Sequence, residues 1–323
     1  GQTDGVPALD AIAWIGNGPG RAIPIDRDGL VGFVQQQLVH AAPGQEPVRL
    51  SPLVPAGRSG DYFRAWLHPR DGSGRLEAIR IDADGGLQRL WDADARLPIP
   101  GQRTLSTWRP DPGQPSGTTL PLEWDALDAG QRRLLARDPV THRSDTDAQA
   151  RRRLRWLQGE RPEGLRQTQT RLGGYGSSPG TLADGSDQGY AAVHPAGAAY
   201  ATFLDGLREQ PAVLLWTADD GRLHGFDGRI PCGDEAVSEP GGCGEGGREL
   251  FAHIPASVWP ALGQRADGSL APVSLMDSRP AVAHVYDGRQ WRRLAIVTAG
   301  RFGDYAFAFD IDRRQALWEV GPE

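Results

Sequence analysis

The chain has 323 residues, enough for one large β domain or two ordinary ones. Its 43 glycines and 26 prolines, with 39% hydrophobic residues, favour many turns and short strands over long helices. A formal charge of -6 excludes broad electrostatic attraction to nucleic acid or to an anionic membrane, and no apolar run approaches the ~20 residues that span a bilayer.

In chain order, residues 8 to 16 suit a short amphipathic helix, and 21 to 25 a strand. Asp28 then caps a helix with Leu30, Val31, Val34 and Leu38 on one face. This is α/β grammar. The opening residues read as the middle of a domain with no leader peptide, so a fragment or processed product is expected. After a linker at 41 to 47 the pattern turns to strands at 61 to 68, 74 to 82 and 86 to 93, separated by Asp/Gly turns. Residues 110 to 119 are a Pro/Gly-rich loop. Two helices follow, over 123 to 138 with Asp125 as cap, and over 145 to 159. The second carries Arg151, Arg152, Arg153 and Arg155. They read as a solvated face, with phosphate binding as the alternative, since the net charge is negative and no aromatic platform accompanies them in sequence. From 172 onward strands and turns return.

Cys232 and Cys243 are the two cysteines, both in a glycine-rich segment. Two cysteines cannot complete a zinc site, and no His or Cys flanks them at ligand spacing. A disulfide closing a flexible loop is expected, with two unpaired thiols as the alternative. Such a bond would place the chain in an oxidising compartment.

Three segments share one design: 74 to 91, 221 to 228 continued at 247 to 254, and 303 to 320. Each has a glycine turn, an alternating strand with Asp near its end, and a strand with an aromatic: Leu90-Trp91, Leu250-Phe251, Leu317-Trp318. An apolar strand precedes each copy. This is the unit of a β-propeller blade, which must stack on its neighbours. The expected fold is therefore mainly β: a partial β-propeller with quinoprotein-like blades, a helical insertion and a short α/β N-terminal segment. A β-sandwich is the alternative. The hairpin turn Asp219, Asp220, Gly221 is one tile of this pattern. The chain stops just after the third copy, and more blades are expected downstream.

Several motifs, in order, resemble the PilY family of type IV pilus biogenesis. They are "WDALDAGQRRLL" (124 to 135), "LQGER" (157 to 161), "RLGGYGSSP" (171 to 179), "LLWTADDGRLHGFDG" (214 to 228), "GRELFAHIPASVWPAL" (247 to 262) and 277 to 311. The resemblance covers roughly residues 50 to 320 and implies a non-enzymatic pilus assembly factor and pilus-tip adhesin. It implies minor pilins, and a host or surface receptor, as partners. It places the protein at the cell surface and pilus tip after passage through the periplasm. It also implies that residues 1 to 44 end a von Willebrand A-like domain. Residues 45 to 323 would then be an incomplete propeller with a helical insertion at about 121 to 170 and a loop insertion at 229 to 246. Asp219 stands where the family usually has Asn, and Gly174 where it has Asp. The 229 to 246 loop is longer than usual. It carries both cysteines and the residues expected to touch a partner: Asp234, Glu235, Glu239 and Glu245.

No catalytic, cofactor-binding or metal-binding residue is expected. Calcium, if bound, would belong to a later blade, since "DADGG" and "DIDRRQ" read as Asp turns. "GSSPG" (176 to 180) fits a nucleophile elbow, but Pro179 has no N–H for an oxyanion. His224 and His253 fall in strands of one blade, close enough to face each other, and read as packed histidines. A periplasmic quinoprotein-type dehydrogenase and an outer-membrane assembly scaffold are the competing readings of the same fold.

Overall fold

The computed structural model describes residues 49 to 321, apart from 58 to 59, 69, 83, 114, 175 to 177 and 233 to 242. The expected α/β segment at 1 to 44 lies outside these residues, as do Asp234, Glu235 and Glu239.

Three sheets dominate, antiparallel but for one parallel pair in the central sheet. The first contains β1 (Arg49–Leu50), β2 (Val54–Pro55), β3 (Asp61–Leu67), β4 (Gly74–Ile81) and β5 (Leu87–Asp92), with β1 and β2 both on the outer edge of β3. The central sheet contains β6 (Leu105–Pro110), β7 (Gly117–Pro121), β8 (Thr181–Ala183), β9 (Val213–Ala218), β10 (Arg222–Asp227) and β11 (Glu249–Ile254). Its meander β8-β9-β10-β11 is extended by the β6-β7 hairpin, with β6 parallel to β11. The third sheet is the meander β12 (Ala281–Tyr286), β13 (Trp291–Thr298), β14 (Ala306–Asp310), β15 (Gln315–Val320).

The repeated segments form the last hairpin of each sheet, and all three carry a bulge at the same place. The residue passed over on the last strand is Leu90, Leu250 or Leu317. Just beside it a small residue pairs with an aromatic: Ala78 with Trp91, Gly225 with Phe251, Ala308 with Trp318. The bulge restores the aromatic to one face and adds local twist. Gly225 is required by close approach, because a Cβ there would sit 2.4 Å from the Phe251 ring.

The sheets stack in chain order. The Ala78–Trp91 face packs against Leu214, Trp216 and Phe226 of the central sheet. The other face of the central sheet, bearing Leu215 and Phe251, packs against Phe307 and Phe309, with Phe251 and Phe309 stacked at 4.9 Å. Each inner face therefore meets another apolar face, which is why β9 and β10 are buried along their whole length. No sheet closes on itself among the described residues.

Helices α1 (Ala129–Ala136) and α2 (Asp147–Gln158) lie between β7 and β8 in the chain and pack into the core shared by the central and third sheets. The cap of α1 is Asp128, not Asp125. Asp128 forms a reciprocal capping box with Gln131, which Asp125, three residues upstream, does not. The arginines of α2 are not simply a wet face. Arg153 is buried, donating to the Leu135 carbonyl and pairing with Asp145, and Arg151 stacks over Trp124 at 4.3 Å. Trp124 is thus the aromatic partner that the local sequence lacks.

Three helices stand in the stretch read as strands and turns. They are α3 (Tyr190–Val193), α4 (Gly197–Arg208) and α5 (Trp259–Ala266). Tyr200, Leu204 and Leu207 of α4 are spaced for one buried face, and Tyr200 reaches His284 on β12 with its hydroxyl 2.9 Å from Nδ1. In α5 the proline sits at the helix start, where its missing N–H costs nothing.

Candidate functional site

The turn Asp219, Asp220, Gly221 joins β9 to β10, and its two acids are buried rather than displayed. Asp220 lies 3.5 Å from the Arg222 Nε and 3.5 Å from the His224 Nε2. The other ring nitrogen of His224 is 2.9 Å from Glu249, which is gripped by both arms of Arg103 at 2.7 and 2.8 Å. A buried chain Arg103–Glu249–His224–Asp220–Arg222 thus runs across β10 and β11. Burial pushes the Asp220 and Glu249 carboxyls up, but the adjacent cations outweigh it and hold both below the usual range. Burial would lower the His224 imidazole, but Asp220 and Glu249 raise it above its ordinary value. Asp219 differs: burial raises its carboxyl to about 6, against the pull of Arg265.

A histidine between two carboxylates has the composition of a proton-transfer site, but the opening beside it holds only about 20 Å³, room for one water. It is a structural lock for the turn. His224 and His253 do not face each other. His253 pairs with Leu223, so its ring lies on the opposite face of the sheet, against Phe307 and Phe309. Its Nδ1 is 2.9 Å from the Ser106 Oγ. Burial drives the His253 pKa down to about 3, and no carboxylate orients the ring. Ser178 of the "GSSPG" stretch is bonded to the Asp277 carbonyl. No group of three His, Cys, Asp or Glu side chains disposed to hold a metal occurs among the described residues.

At the other end of β10 the 229 to 246 segment begins. Cys232 and Cys243 are joined by a disulfide with Cα atoms 5.0 Å apart. The ladder continues past the strands to its base through Gly247 N–H to the Asp227 carbonyl at 2.7 Å and Gly244 N–H to the Ile230 carbonyl at 3.0 Å. Gly246 has φ +58 and lies so close to the Arg229 carbonyl that a Cβ would meet it at 1.8 Å. Arg96, from the turn after β5, donates to the Glu245 and Gly246 carbonyls. The Glu245 residue itself is exposed. The turn and Glu245, the described member of the loop residues singled out in the sequence, are therefore at opposite ends of β10, not in one site. Sequence reasoning missed Arg103 and Glu249, which are 146 residues apart and carry no local signal of their pairing.

No family model matches the chain. It is 30% identical over 212 residues, 61% of its length, to the type IV pilus biogenesis factor PilY1 of Pseudomonas aeruginosa strains PAO1 and PAK. It is 28% identical over 125 residues to the PilY1 homolog of Xylella fastidiosa strain Temecula1, covering 38% of this chain and 9% of that protein. The chain matches 16% of the length of the Pseudomonas relatives. Among solved structures, the crystal structure of the P. aeruginosa PilY1 C-terminal domain is similar with 26% identity and a TM-score of 0.30, over 44% of this chain and 25% of that one.

Proposed function

We infer, from a chain that is PilY-type over its matched residues, that this protein is a type IV pilus biogenesis factor acting without catalysis at the pilus tip and cell surface. The observation that carries the reading is the 30% identity over 212 residues to PilY1. In this reading the stacked sheets are blades of a propeller. The shared bulge and the small–aromatic pair support it, because each sheet presents the same face to the next. The last such face, with Ala308 and the half-buried Trp318, is the one a further blade would cover, and calcium would belong to a later blade of the longer protein. The rigid stack is a platform, and the loop at 229 to 246 is its reach. We assign contact with minor pilins or a surface receptor to Asp234, Glu235, Glu239 and Glu245, with the Cys232–Cys243 bond limiting the shapes the loop takes. The closed surroundings of His224 and the carbonyl bond of Ser178 favour a scaffold over a hydrolase.

The test is deletion of the gene in its host, followed by complementation with the parent and with a loop-shortened variant. Loss of surface pili and twitching on deletion, restored only by the parent, is the expected result. Unchanged pilus number and motility after deletion would overturn the assignment. Quinone-dependent dye reduction by the purified protein would replace it with the dehydrogenase reading.

A further inference from the structure

A cavity of about 690 Å³ opens at the base of the disulfide loop, lined by residues of the central and third sheets and by Arg96 from the turn after β5. This is within the roughly 300–1,000 Å³ of ligand sites. Five arginines line it: Arg96 from that turn, Arg229 and Arg248 from the central sheet, and Arg293 and Arg314 from the third. Three of them are engaged. Arg229 pairs with Asp227 at 2.6 Å, Arg293 with Asp312 at 2.5 Å, and Arg96 holds the loop carbonyls. Arg248 and Arg314 are exposed, and neither guanidinium has an ion pair or hydrogen bond to a described residue. Arg293, only 2% exposed, keeps its Nε buried and unbonded. Arg314 is also one of two non-glycine residues with positive φ among those described, at 58° in the β14–β15 turn. A glycine is the ordinary occupant of such a position, so this turn holds an arginine against its backbone preference.

We propose that this cavity binds an acidic peptide, with Arg248 and Arg314 taking a peptide carboxylate as charge-assisted hydrogen-bond donors. The lining includes the half-buried Leu250, which suits an apolar side chain next to the acid. The lining also holds Asp227, Glu245 and Asp312. Those carboxylates are acceptors for the N–H groups of a peptide backbone, which phosphate does not have. A sugar chain would need an open aromatic face, and Phe251 is 2% exposed and stacked on Phe309. With a net charge of -6 the chain does not attract acids in general, so affinity for one must come from a local site. The site stands on this cavity whichever protein supplies the peptide.

The experiment is fluorescence anisotropy of a labelled Asp-Glu-Leu-Asp-Glu peptide with the full chain, beside its Asn-Gln-Leu-Asn-Gln counterpart. Saturable binding of the acidic peptide alone, weakened by salt, is expected. Arg248→Ala and Arg314→Gly should each weaken it at least tenfold. Arg314→Gly relieves the left-handed arginine, so its melting temperature should be no lower than the parent's, which separates lost binding from lost folding. Three outcomes overturn the proposal: no saturable binding, equal binding of the neutral peptide, or unchanged affinity in both variants. Binding of inorganic phosphate or a polyanionic sugar in place of the peptide overturns it as well.

Discussion

His224 is the residue on which the centre of the molecule turns. Its folded pKa lies above its ordinary value, so its contribution to stability is complete below about pH 6.5 and is lost as pH rises through the folded value. Asp220 and Glu249 have lowered values, so theirs is complete above roughly pH 4.5 and lost as pH falls. Together they place the cluster's greatest contribution between roughly pH 4.5 and 6.5. His224→Gln should lower stability by about 3–5 kcal/mol, since it removes the cation between two buried carboxylates. It should also flatten the fall on the alkaline side, read as urea midpoints from pH 5 to 8. Asp219 and Asp220 are neighbours with opposite behaviour. Asp219, raised to about 6 by burial, is ionised at a cost at pH 7. Asp219→Asn should therefore stabilise by on the order of 1–3 kcal/mol at pH 7. Asp220→Asn should destabilise by about 2–4 kcal/mol. Equal effects from the two substitutions in thermal unfolding would refute the distinction.

At the scale of elements, the bulged hairpin is the recurring device. The small residue makes room for the aromatic of the last strand, and the room is tightest at Gly225. Gly225→Ala should cost about 1–3 kcal/mol through overpacking, measured by chemical denaturation. The loop at 229 to 246 is the opposite case, a segment whose ends are held by short hydrogen bonds and one covalent bond. Replacing Cys232 and Cys243 together by serine should cost roughly 3 kcal/mol, with a drop of several degrees in melting temperature. The strand hairpins were legible because alternation and Asp/Gly turns are local signals. Helix α4 was not read, although Tyr200, Leu204 and Leu207 carry a helical spacing, because glycine and alanine around them suggest turns and the anchoring partner His284 is 84 residues away.

At the scale of the whole molecule, stacking order ranks equivalent residues. Trp91 is 3% exposed against the central sheet, whereas Trp318, its counterpart in the third sheet, is half-buried. Trp91→Ala should cost about 3–5 kcal/mol and Trp318→Ala about 1 in this chain. A larger loss at Trp318 would contradict the stack. The sequence by itself determined the repeated hairpin, the turn chemistry and the pairing of the cysteines, because each rests on residues close in the chain, whereas the bulge in each hairpin came from the structure. Only the tertiary structure decided that the turn acids are buried, that His224 and His253 take opposite faces, and that Arg96, Arg248 and Arg314 meet around one cavity. Those outcomes depend on which faces of distant sheets touch, and local spacing carries no record of that.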